Sequence, residues 1–158
     1  MKHRNLPEKL ILTLSTFFGV GYLPLIPGTF GSCAGLLVYF MVKDHPAVFL
    51  LLTSVCIIVG LFVSGQAEKV LGTKDAKQIV IDEVSGMLIA LLYLPDDIRL
   101  VFIAFILFRI LDTFKPYPAH RFQAFKGGFG VMGDDLIAGL YTNMVIQVAW
   151  RLAVLRAS

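Results

Sequence analysis

Charge is what this sequence has least of. Only 16% of its 158 residues are Asp, Glu, Lys or Arg, against about 25% in an ordinary soluble domain. Hydrophobic residues make up 57% and mean hydropathy is +0.78. So few charges cannot cover a water-facing surface of this size, and lipid is the expected solvent. Cysteine is scarce too. Cys33 and Cys56 sit in apolar stretches without CxxC spacing, which reads as two buried thiols and argues against a zinc site. No basic run or basic–aromatic stripe accompanies the net charge of +3. Nucleic acid is therefore not expected as a partner, whereas a small basic excess suits an anionic membrane surface. There is no internal repeat and no low-complexity linker, and the length fits a single domain over residues 1–158. The N-terminal basic-then-apolar segment lacks a small-x-small cleavage site, so it is expected to be retained.

Familiar catalytic nucleophiles are missing as well. Cys-x5-Arg fails, because Tyr39 and Phe62 stand where the arginine would be. There is no Asp-x-Asp for an aspartyl-phosphate, and His3, His45 and His120 lack a phosphohistidine context; His120 reads as a surface residue. For phosphate chemistry that leaves attack by a metal-activated water.

What the sequence does have is a series of apolar segments, at 10–20, 34–42, 47–64, 79–94, 100–111 and 136–149. They are too long and aperiodic for strands, so helices are expected. Pro46 and Pro95 mark expected helix starts, and Asp134 or Asp135 could cap another. The expected fold is all-α, a membrane-associated bundle of five or six helices. Segments 47–64 and 136–149 approach the roughly 20 residues that a full span needs. Segment 100–111 is shorter, so some helices are expected to enter only part of the bilayer or to carry their polar ends into it.

If each apolar segment from Phe30 onward crosses once, the polar stretches sort onto two sides. One side collects Lys2, Arg4, Lys9, Lys69, Lys74, Lys77, Lys115, Arg121 and Lys126; the other has Lys43, Arg99, Arg151 and Arg156. The excess places the first side in the cytoplasm. The same parity gathers Asp82, Glu83, Asp112, Asp134 and Asp135 on that side. Helix capping could account for one acid of each pair. It does not account for both pairs plus Asp112, and acids within apolar helices are costly and usually functional.

Clustered carboxylates without Cys or grouped His select a hard cation, Mg²⁺ or alternatively Mn²⁺. Such an ion normally works on phosphate. Pro27-Gly-Thr-Phe-Gly-Ser32 leads into a helix, where free N–H groups and the hydroxyls of Thr29 and Ser32 could hold phosphate oxygens or simply form an ordinary cap. Arg109, Asp112 and Lys115 follow an i, i+3, i+6 pattern. Arg109 could bind phosphate or pair with Asp112, and Lys115 could do the same or snorkel to headgroups.

Four strings then carry a resemblance: Pro27-Gly-Thr-x-Gly-Ser32, Ile81-Asp-Glu83, Arg109-Ile-Leu-Asp-Thr-Phe-Lys-Pro-Tyr-Pro118 and Gly127-Gly-x-Gly-x-Met-x-Asp-Asp-x-x-Ala-Gly139. In this order, from about Gly19 to Asn143, the chain resembles phosphatidylglycerophosphatase A. The resemblance implies an all-helical protein of the bacterial inner membrane. It also implies Mg²⁺-dependent hydrolysis of phosphatidylglycerophosphate to phosphatidylglycerol. Our assignment of roles within that frame puts the metal on Asp82, Glu83, Asp134 and Asp135. Asp112 is a further ligand or the base that orients water. Arg109 and Lys115 bind the phosphoryl oxygens, Thr29 and Ser32 complete the cradle, and Gly28, Gly31, Gly128 and Gly130 allow close backbone approach. An ion transporter would be expected to show inverted repeats, and a CDP-alcohol transferase D-x-x-D-G-x-x-A-R; neither is present.

Overall fold

The computed structural model describes residues 5–117, 119–122 and 125–157, and among them every regular element is helical. Lys2 and Arg4 of the charge count, His3 and the surface position expected for His120 lie outside what it describes. The order is α1 (Leu6–Ser15), a 3-10 turn (Val20–Tyr22), α2 (Pro27–Val42), α3 (Pro46–Leu71), α4 (Ile81–Ala90), α5 (Ile98–Phe114), the four-residue α6 (Ala119–Phe122) and α7 (Gly128–Ala157). Six of these have ten residues or more, as expected for the bundle.

Local chemistry explains most boundaries. Pro27 and Pro46 occupy first-turn positions, where proline's missing N–H costs nothing. Gly72 closes α3 in a left-handed conformation. Pro95 does not start a helix. Asp97 does so instead: its side chain accepts the Arg99 N–H at 2.8 Å, and Arg99 in turn holds the Asp97 carboxyl below its ordinary range. The larger correction concerns α7. It opens at Gly128, so Asp134 and Asp135 lie almost two turns inside it and cap nothing.

α3 and α7 are long and apolar enough to cross a membrane, at ~39 and ~45 Å from a rise of 1.5 Å per residue. Their outward faces are apolar. Leu51, Ile58 and Phe62 on α3 are exposed, as are Met144 and Val148 on α7 and Phe102 and Ile106 on α5. Such apolar exposure suits lipid. Cys33 follows the same rule: it is exposed rather than buried, and Cys56 is half-buried. In lipid an outward-facing apolar residue is not an anomaly.

α4 is the centre. It packs against α2, α3, α5 and α7, and eight of its ten residues are buried. At ~15 Å it reaches only halfway through a bilayer. Segment 79–94 is therefore not one helix: α4 ends at Ala90 and turns through Tyr93, which has positive φ. A helix that stops inside the bundle leaves carbonyls without partners. α7 supplies them. Asn143 donates to the carbonyls of Ala90 (3.2 Å) and Leu92 (2.7 Å), and Gln147 donates to that of Leu92 (3.3 Å).

The two ends of the bundle carry different groups. At one end Lys43 pairs with Asp96 at 3.0 Å, and that hydrogen bond holds the ammonium above its ordinary range. At the other end lie the starts of α2, α4 and α7 and the close of α5.

Candidate active site

The second end gathers the acids. Asp82 and Glu83 stand in the first turn of α4, where no side chain caps the helix. Asp135 reaches them from α7. Carboxylate oxygens of Asp82, Glu83 and Asp135 all lie within 4.8 Å of one another. Asp82 and Asp135 are buried, and Glu83 Oε2 is a buried oxygen with no hydrogen-bond partner. Asp112, from the last turn of α5, lies beside Asp135. Acids packed this closely in a buried place need a cation or shared protons to offset their repulsion. Three carboxylates brought this close, two from α4 and one from α7, suit a hard cation that completes its shell with water or phosphate. The residues present thus fit a metal.

Asp134 does not join that group. Successive helical residues point ~100° apart, so Asp134 and Asp135 cannot both address the same point equally. Asp134 pairs with Lys115 at 2.5 Å. Lys115 itself is off the helix: it closes α5 with φ +45, and the break in helical geometry swings its side chain toward α7. Arg109 and Asp112 do share a helical face, with Arg109 Nη1 donating to Asp112 Oδ2 at 2.7 Å.

The α2 motif forms the other wall. Pro27–Ser32 is the first turn and a half of α2 itself, with no side-chain cap. A Cβ at Gly28 would stand 2.5 Å from Glu83 Oε1 and 3.5 Å from Arg109 Nη2. Gly28 is therefore where the α2 backbone, the Glu83 carboxylate and the Arg109 guanidinium converge. Gly31 admits Val80 and the Glu83 stem in the same way. Thr29 is half-buried beside them. Ser32 is fully buried, and its hydroxyl donates to the Gly28 carbonyl at 3.1 Å. Gly128 and Gly130 serve packing at the start of α7: added Cβ atoms there would run into the carbonyls of Leu61 and Phe125.

Comparison with known proteins fits this geometry. The family model for phosphatidylglycerophosphatase A matches residues 13–150. The chain belongs to the phosphatidylglycerophosphatase A family. A phosphatidylglycerophosphatase A of Escherichia coli is 35% identical over 90% of this chain and 86% of its own length. A protein of the same name from Haemophilus influenzae is 34% identical over 84% of each chain. A Bacteroides thetaiotaomicron protein, provisionally named a phosphatidylinositol-3-phosphatase, is 37% identical over 90% of this chain and 95% of its own. No solved structure matches. All four motifs read from the sequence fall inside the matched segment.

Two features of the site escaped sequence reasoning. The first is the pair Gly86 and Gly139, where α4 and α7 touch backbone to backbone. They lie four residues after Asp82 and Asp135, one turn below the acids on the same faces. The repeated four-residue spacing from acid to glycine was the available signal. The second is Asn143 with Gln147, polar residues spaced i, i+4 in an apolar segment, which terminate α4.

Proposed function

We propose that the chain hydrolyses the phosphate monoester of phosphatidylglycerophosphate, releasing inorganic phosphate and leaving phosphatidylglycerol. The observation that carries this reading is the buried Asp82–Glu83–Asp135 cluster. It stands beside the Arg109 guanidinium at one end of a membrane-associated bundle, in a chain of this family. The Bacteroides relative's name specifies a different lipid headgroup, but the scissile group is again a phosphate monoester on a membrane lipid.

Asp82, Glu83 and Asp135 would hold Mg²⁺ or Mn²⁺, which supplies an activated water and offsets the repulsion between phosphate and carboxylates. The chain's own groups do the rest. Arg109 is fixed from one side by Asp112, which leaves its other nitrogen near Gly28 and the open first turn of α2. There the guanidinium can fork across two phosphoryl oxygens while the N-terminal turn of α2 faces the same anion. Asp112 touches both Arg109 and Asp135, so it links the phosphate-binding side to the metal-binding side and can accept a proton from water. Lys115, held by Asp134, adds positive charge at the rim. Water's oxygen bonds to phosphorus, the P–O ester bond breaks, and the glycerol oxygen leaves as a hydroxyl after gaining a proton. The cytoplasmic face is assigned to this end by its lysine and arginine excess.

The test is phosphate release by the purified chain from phosphatidylglycerophosphate, phosphatidylinositol 3-phosphate and phosphatidic acid, with Mg²⁺ and with EDTA. Release from the first, lost in EDTA and lost in Asp135→Asn while the bundle stays folded, is the expected pattern. Full activity in EDTA would refute the metal role. Activity on the other lipids alone would refute the substrate.

A further inference from the structure

We infer that the apolar groove between the end of α1, α2 and α3 is the seat of one acyl chain of the lipid phosphate whose headgroup reaches the carboxylate site. This rests on the hydrolase reading above and adds where the hydrophobic part of the substrate lies. The groove has a volume of about 380 Å³ and an entirely apolar lining, apart from the half-buried thiol of Cys56. Val38 and Val42 form the α2 wall; Leu52, Cys56 and Val59 form the α3 wall. It extends ~10 Å, from Val59 back to Leu52.

Two observations select an acyl chain as the occupant. The first is proximity to the site. The groove's lining includes Ile81, the residue immediately before Asp82. The second is direction. The first turn of α2 carries Gly28 against Glu83 and Arg109, and the helix ends at Val42 at the far end of the groove. A lipid whose phosphate sits at the start of α2 must send its chains along α2 into the bilayer, and the groove follows that course. Phe17 bounds it on the α1 side, in a left-handed backbone turn that also places the ring of Phe18 edge-on at 5.5 Å. The outer surface of α3 beside it, Ile58 and Phe62, is exposed and apolar, so the groove opens among lipid chains. A chain moving from bilayer to groove exchanges one apolar solvent for another. The groove therefore positions the substrate rather than drawing it out of the membrane.

The experiment compares dioleoyl and dihexanoyl forms of phosphatidylglycerophosphate. The unaltered chain, Val38→Trp and Cys56→Trp are each assayed in phosphatidylcholine vesicles with Mg²⁺. The ratio of kcat/KM for the long-chain over the short-chain substrate should fall about tenfold in both variants. An unchanged ratio, or an equal loss on both substrates, would overturn the groove's role. Should the tryptophan variants fail to fold, the unaltered chain still decides. A lipid phosphate carrying a mid-chain diazirine should cross-link to Val38, Val42 or Cys56. Labels confined to the outward Ile58 and Phe62 would overturn the proposal and leave the groove to a bystander lipid or a second copy of the chain. Absence of phosphate release from either substrate by the unaltered chain counts against the hydrolase reading, and the cross-link pattern still judges the groove.

Discussion

Gly139→Ala should damage catalysis more than it damages stability. A Cβ at Gly139 would stand 3.0 Å from the Gly86 carbonyl carbon, 3.1 Å from its Cα and closer still to its oxygen. All three are backbone atoms of α4, so no side chain can rotate away. α4 and α7 must separate by ~1 Å to restore ordinary contact distances. Overpacking of this kind costs ~1–3 kcal/mol, whereas replacing a mid-helix glycine returns ~1 kcal/mol of helix propensity. The net loss of stability is then at most ~2 kcal/mol, a modest fall in Tm. The site is less forgiving. Asp135 lies one turn from Gly139 and Asp82 one turn from Gly86, so the same ~1 Å opens the carboxylate cluster, and a displacement of that size can cost ~10²-fold in rate. The assay is kcat/KM for phosphate release at saturating Mg²⁺, paired with thermal unfolding of the same preparation. Unchanged kcat/KM with the variant folded would refute the claim that this contact sets the spacing of the acids. A large fall in Tm with proportionate loss of activity would show that the glycine pair serves stability alone.

Three further outcomes are expected. Arg109→Ala should lower kcat/KM by ~10²-fold or more with the fold intact, and Arg109→Lys should restore little, because a point charge does not fork across two oxygens; near-normal turnover in the alanine variant would reduce Arg109 to a structural partner of Asp112. Asn143→Leu leaves the carbonyls of Ala90 and Leu92 without their best donor and should lower stability by ~1–2 kcal/mol, read as a fall in Tm; an unchanged Tm would mean that Gln147 suffices. In a background lacking Cys33 and Cys56, Lys74→Cys should be shielded from an impermeant thiol reagent added outside intact cells while Asp97→Cys reacts, and the reverse pattern would invert the topology.

Much of the site was legible because lipid makes charge conspicuous. Acids in apolar helices are too costly to be incidental, so Asp82, Glu83, Asp112, Asp134 and Asp135 could be named together, and the parity of apolar segments put them at one end. The helical class followed from segment length and prolines. Helix limits were harder to see. Where both the core and the solvent are apolar, no amphipathic stripe distinguishes the inside of a helix from its outside. That is why Cys33 was expected to be buried, why 79–94 read as one helix, and why α7 was expected to begin near Asp134 rather than at Gly128. The order of apolar and polar segments determined an all-helical, membrane-associated protein with the five acids of its apolar helices at one end. Tertiary structure alone decided which acids face each other. Rotation along α7 sends Asp135 to Glu83 and Asp134 to Lys115, and contact between Gly86 and Gly139 holds α4 against α7 at the distance that lets the carboxylates meet. Those facts depend on angles and separations between helices, which local residue preferences do not encode.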